Sequence, residues 1–169
     1  MLNKIIIVLI SLLVLIGCSK DRNDRERILF GDASVNFVSL NDEYFDEDLL
    51  SIEYRIINQT KESTGPFHVN VVIHDKILQD YLGLEQYTSY EKMGHDGMEI
   101  GAGDVFQSGE NLHATKGIGE LYRSLNPEHQ LIELQMVNPK TEEVIASKWI
   151  HNFLYVYETT AKPKQAKSS

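Results

Sequence analysis

A length of 169 residues, a formal charge of −9 and a single cysteine narrow what this chain can be. The acidic balance argues against nucleic acid as a partner, because phosphate contacts need a basic surface. One Cys excludes an intrachain disulfide, so apolar burial, from a composition that is 42% hydrophobic, must hold the one domain that this length suggests.

The chain begins with one basic residue, Lys4, followed by an apolar run from Ile5 to Gly17 broken only by Ser11, and then Cys18. Thirteen helical residues reach roughly 20 Å, short of the ~30 Å hydrocarbon core that a permanent spanning helix must cross. A basic start, a short apolar centre and a small residue before the cut are instead the layout of a secretory signal.

At its end Leu15-Ile16-Gly17-Cys18 resembles the lipobox of bacterial lipoproteins: an aliphatic residue, a small or aliphatic one, Gly or Ala, then Cys. Ile16 is bulkier than the common occupant. The resemblance covers about a tenth of the chain and implies an address, not an activity. It implies that Cys18 takes a thioether-linked diacylglycerol, becomes the new N-terminus and in many bacteria gains an amide-linked acyl chain such as palmitate. One acyl chain, at ~0.8 kcal/mol per buried methylene, binds reversibly, whereas two or three attach durably. Lipidation also removes the liability of an unpaired thiol in an oxidising compartment. Loss of the leader takes Lys4 with it and leaves a formal charge of −10. Ser19 stands where many double-membrane bacteria carry a retaining Asp, so such a host would send the protein to its outer membrane. The expected address is the extracytoplasmic face of the cell membrane, with the outer membrane as the alternative.

The predicted organisation is therefore a signal peptide over 1–17, the lipidated Cys18 with a polar tether to residue 27, a globular domain over 28–158 and a disordered tail over 159–169. Ser19 to Arg27 has no apolar residue and mixes four basic with three acidic side chains. It is too balanced for a polybasic membrane clamp and too polar to pack. Nine extended residues reach at most roughly 30 Å, which would keep the domain close to the bilayer.

From Ile28 the apolar period becomes two, with Val35 and Phe37 on one face and Asn36, Val38 and Leu40 on the other, which predicts a first strand. Asn41 to Asp48 interrupts it with five carboxylates. This stretch lacks the central Gly and alternating ligand rhythm of an EF-hand, so a solvated acidic turn is expected, with no metal. Leu50, Ile52, Tyr54 and Ile56, then Phe67, Val69, Val71 and Ile73, alternate with polar residues and predict two strands, each with one core face. The segment between them, Asn58 to Pro66, has loop chemistry, and its Asn58-Gln59-Thr60 sequon is read as chance. His68 and His74 fall on one side of their strand but ~20 Å apart, too far to share a metal.

Asp75 predicts the N-cap of a short helix from Lys76 to Leu82, with Gly83 as its left-handed stop. Seven of the eleven glycines lie between Gly94 and Gly119, which suggests short strands joined by turns. Gly101-Ala102-Gly103-Asp104 lacks the spacing of a phosphate loop, and His95-Asp96-Gly97 reads as a surface turn. Ile118, Leu121, Tyr122 and Leu125 have helical spacing ended by Asn126-Pro127. Gln130 to Val137, an Asn138-Pro139-Lys140-Thr141 turn and Glu142 to Tyr157 predict a closing hairpin. Its last strand carries Trp149, Phe153, Tyr155 and Tyr157 on one side, the pattern of a central core strand or, as the sharper alternative, of a platform for stacking a sugar.

About seven strands and two short helices, without long crossovers, predict a mainly β chain: an antiparallel β-sandwich loosely similar to immunoglobulin-like domains, with α+β as the alternative. The Cys and Trp pairing of true immunoglobulin domains cannot form with one Cys. No nucleophile elbow, zinc-protease helix or metal-binding Cys set occurs, and no cofactor is implied. The expected function is a binding or envelope-assembly module with a protein or glycan partner. The alternative is a small envelope hydrolase using carboxylates, such as Asp104 and Glu110, or histidines gathered by folding.

Overall fold

The alternating rows from Leu50 to Ile56 and from Phe67 to Ile73 are the inner faces of two packed sheets. The computed structural model describes residues 27–41, 46–89, 97–114, 117–126 and 128–159. In chain order these form β1 (Ile28–Asn41), β2 (Asp46–Asn58), β3 (His68–Ile73), α1 (Lys76–Leu82), β4 (Gln86–Thr88), β5 (Val105–Ala114), α2 (Ile118–Ser124), β6 (Ile132–Val137), β7 (Val144–Trp149) and β8 (Phe153–Thr159). One sheet has the order β5-β2-β1-β8 and the other β4-β3-β6-β7. The protein is a mainly β sandwich with two short helices.

Between the sheets, Val35, Phe37, Leu50, Ile52, Ile56, Phe67, Val69, Val71, Ile132, Leu134 and Met136 are fully buried in one continuous cluster. At about 1.5–3 kcal/mol for each fully buried large aliphatic or aromatic side chain, this row against row packing is the main stabilising contribution in a chain without a disulfide. Strand alternation produces it directly, since a period of two sends every second residue inward.

Both helices pack on the core, the first through Leu78 and the second through Ile118 and Leu121. The Asp75 carboxylate accepts from the Leu78 amide at 3.0 Å, and Gly83, at φ 69°, donates its amide to the Gln79 carbonyl at 2.8 Å. Helix α1 thus starts and stops where the cap residues dictate. Helix α2 begins at Gly117 with no side-chain cap of its own residue. Its cap comes from β2: Asp48 Oδ2 accepts from the amides of Gly117 at 2.7 Å and Ile118 at 2.8 Å, which seats Ile118 and Leu121 in the core.

Several expectations are corrected. Asp46 to Asp48 belong to β2 and pair with the end of β1, and Asp48 is buried rather than solvated. Residues 105–114, Gly109 included, form one ten-residue strand rather than short strands joined by turns. A side chain at Gly109 would place its Cβ 3.1 Å from the Ile52 carbonyl oxygen, so this glycine permits close strand approach. Glu142 to Tyr157 is not one strand. It breaks at Ile150 to Asn152, where the chain leaves the second sheet and β8 joins the first, pairing in parallel with β1 from Val35↔Phe153 to Asn41↔Thr159. No glycine or proline marks that break, and local alternation does not specify which edge a strand will join. The sandwich is therefore antiparallel except at this pair, and the two seven-residue helices form no layer of an α+β fold.

Candidate functional site

The signal peptide, Cys18 and the tether up to residue 26, Asp42 and Glu43, His95 and Asp96, and the tail from residue 160 lie outside the described residues. The structure separates most of the other candidates. Asp104 precedes β5 and Glu110 lies six positions further along, so the two carboxylates are ~20 Å apart and do not form a catalytic pair. Burial raises the Glu110 carboxyl above its ordinary value, partly offset by a hydrogen bond with Tyr87. Among the described residues no three His, Cys, Asp or Glu side chains come together as a metal would require.

Gly101 to Asp104 forms a turn closed by the Asp104 amide on the Gly101 carbonyl at 3.2 Å. It is fixed from β2 by Asn58, whose Nδ2 donates to the carbonyls of Gly101 at 2.9 Å and Ile100 at 3.1 Å. Asn58 is fully buried, with Oδ1 accepting from the Thr60 amide and hydroxyl, so the sequon amide serves as a loop anchor.

The predicted aromatic row divides three ways. Phe153 is in the core, against Phe37. Tyr155 and Tyr157 are 40% and 55% exposed on the edge strand β8, so this strand is peripheral rather than central. Tyr155 stacks on Tyr122 of α2 with ring centroids 5.7 Å apart. Trp149 belongs to β7 in the other sheet, where its ring lies 4.6 Å from that of His74.

The outer face of that second sheet is the candidate site. Alternation places His68, Asn70 and Val72 of β3, Glu133, Gln135 and Val137 of β6, and the residues registered with them on the side away from the core. Cross-strand register then sets Thr88, Asn70, Gln135 and Ser147 in one row, and Gln86, Val72, Glu133 and Trp149 in the next. These side chains hold one another. Thr88 Oγ1 donates to Asn70 Oδ1 at 2.9 Å, Gln135 Nε2 donates to Glu133 Oε2 at 2.9 Å, and His74 Nε2 lies 3.4 Å from the same Glu133 oxygen. A cleft of about 350 Å³ follows the face, lined by His68, Asn70, Gln86, Thr88 and Gln135, with the β6–β7 turn along one wall.

The turn wall is shaped by Asn138, whose Oδ1 accepts from the Lys140 and Thr141 amides at 2.9 and 3.2 Å. Glu142 follows at φ 57°, a left-handed conformation that costs a non-glycine residue about 1–3 kcal/mol. Beside it, His68 Nε2 is sealed from solvent without a hydrogen-bond partner. A buried polar nitrogen left unsatisfied costs about 1–3 kcal/mol. Chemically the face offers amides, a hydroxyl and an imidazole, and among the described residues lining the cleft there is no Lys or Arg. It can hydrogen-bond a polar ligand through these groups.

The sequence showed His68, Asn70, Val72 and His74 as the polar half of an alternating strand and Gln135 within a hairpin strand, but it gave no sign of the short strand that carries Gln86 and Thr88. Nor did it show the pairing of β3 with β6 rather than with a sequence neighbour alone, which is what assembles the rows.

No family model matches the chain, and no curated protein sequence matches it. Among solved structures it is similar to the crystal structure of a beta-glucuronidase from Bacteroides uniformis, at 13% identity and a TM-score of 0.45, over 72% of this chain and 14% of that one. It is also similar to the crystal structure of the C-terminal domain of wzt, at 12% identity and a TM-score of 0.40, over 73% of this chain and 69% of that chain.

Proposed function

We propose that this chain is an extracytoplasmic lipoprotein, attached to the cell membrane by acyl chains on Cys18, whose β-sandwich is a binding or envelope-assembly module. The observation that carries the reading is the apolar run Ile5 to Gly17, too short to span a bilayer and ending in Leu15-Ile16-Gly17-Cys18. Among the described residues no helix is long and apolar enough to cross a membrane. Binding is favoured over hydrolysis by the arrangement of polar side chains. The carboxylates proposed for catalysis are held apart, Asp104 just before β5 and Glu110 six residues further along it, whereas several amides and the Thr88 hydroxyl converge on one cleft.

Intact-mass measurement of the native protein extracted in detergent tests the address. The expected result is a chain starting at Cys18 with a diacylglyceryl adduct, together with accumulation of unprocessed precursor in Cys18→Ala. An intact Met1 with a free Cys18 thiol overturns it. Fractionation of a double-membrane host separates the inner from the outer membrane.

A further inference from the structure

We infer that the outer face of the β4-β3-β6-β7 sheet is a glycan-binding site for an uncharged oligosaccharide. The inference deepens the binding-module reading and does not depend on the lipid anchor. Three observations on this face favour one ligand class.

The first is the hydrogen-bonding character of the cleft. Asn70, Gln86 and Gln135 each present a carbonyl oxygen and an NH₂ group, Asn138 adds an NH₂ group while its own oxygen is held by the turn, and Thr88 adds a hydroxyl. A sugar's neighbouring hydroxyls both donate and accept, so side chains that do both match them more fully than side chains that do only one. The lattice Thr88 to Asn70 and Gln135 to Glu133 to His74 holds part of this set in place before any ligand arrives. Prior ordering reduces the entropy lost on binding.

The second is charge. Carboxylates and phosphates are recognised through Arg and Lys, and neither is among the described residues lining this cleft, whereas Glu142 is and Glu133 stands in the adjoining row. An anionic ligand would meet repulsion here. The outer face of the other sheet differs: its clefts include Asp32 and Arg55, which pair with each other at 3.1 Å.

The third is shape and the aromatic end. From the His68 row to His74 the face runs ~20 Å along β3. That is the proportion of a chain of sugar units rather than of one enclosed small molecule. Trp149, half-buried on β7 beside Glu133, borders the face with His74 tilted against it. Its ring offers an apolar surface for the C–H face of a sugar.

The test uses the full chain in detergent on an array of neutral and of sialylated or sulfated oligosaccharides. A neutral oligosaccharide that binds is then titrated against the fluorescence of Trp149, the only tryptophan. Saturable binding to a neutral oligosaccharide with a change in Trp149 emission is expected. Asn70→Ala and Gln135→Ala should each weaken it by about tenfold, the loss of a hydrogen bond that leaves its partner unsatisfied. Gln107→Ala, on the other sheet, should leave it unchanged. Ser147→Trp, at an exposed position of the same row, blocks the face without removing a lattice member, and its binding is read on the array because it adds a second tryptophan. It keeps the test decisive if an amide variant does not fold. No neutral oligosaccharide bound, preference for the anionic set, or binding that survives Ser147→Trp each overturns the assignment. A lipidated Cys18 with no glycan bound sinks this inference and leaves the anchored module standing. A glycan bound by a chain with an unmodified Cys18 does the reverse.

Discussion

Replacing Asn58 tests whether the loop beside β2 is held by one amide. Asn58 continues the inward row Leu50, Ile52, Tyr54 and Ile56, so an apolar residue would be the simple expectation there, yet it is 0% exposed and polar. Its Nδ2 faces the carbonyl oxygens of Glu62 at 2.7 Å, Gly101 at 2.9 Å and Ile100 at 3.1 Å. Two hydrogens serve three acceptors, so one bond is shared. Oδ1 accepts from the Thr60 amide at 3.0 Å and hydroxyl at 2.7 Å. Asn58→Ala removes about four hydrogen bonds at a net ~1 kcal/mol each and leaves a buried carbonyl without a donor. A loss of about 3–4 kcal/mol is expected, a large part of the ~5–15 kcal/mol that holds an ordinary domain. Asn58→Asp keeps the shape but turns an oxygen toward three carbonyl oxygens and buries a charge, so at pH 7 it should cost more than Ala. Acidification should recover part of that cost, because a protonated carboxyl can donate once. Urea unfolding of the full chain in detergent, followed by Trp149 fluorescence and far-ultraviolet circular dichroism, gives the three stabilities. An alanine variant within about 1 kcal/mol of the parent, or an aspartate variant more stable than alanine at pH 7, would refute the reasoning.

Two further outcomes concern Asp48 and Glu110. Asp48→Ala should cost about 2–4 kcal/mol, because two charge-assisted bonds to α2 are lost at once, and should speed hydrogen exchange at the Gly117 and Ile118 amides; unchanged exchange there would show that α2 does not need this cap. Burial raises the Glu110 carboxyl above 4.5, against the opposing Tyr87 hydrogen bond, so the folded chain retains its proton to a higher pH than the unfolded one. Stability should therefore fall as pH rises from about 4.5 through the raised value and then level off. Glu110→Gln should remove that fall, and its advantage over the parent, read from urea midpoints between pH 4 and 8, should vanish in acid; an advantage that grows on acidification contradicts the burial argument.

By itself the sequence determined the features that depend on neighbours along the chain. The period of two in Leu50 to Ile56 and Phe67 to Ile73 fixed which side chains enter the core, since strand geometry sends alternate residues to opposite faces. Asp75 and Gly83 fixed the ends of α1, because a cap acts within one turn of its own helix. Tertiary structure alone decided features that join distant residues. Asp48 caps a helix 69 residues away, Asn58 anchors a turn 43 residues away, and β8 passes to the other sheet to lie parallel to β1. The candidate face belongs with these. Asn70 and Gln135 are ordinary polar positions in two strands and Trp149 reads as part of an aromatic row, and only the register of β3 on β6 and β6 on β7 brings the three onto one surface. Alternation specifies in or out for each strand, but pairing partners are chosen by the packing of the whole core, which no local pattern encodes.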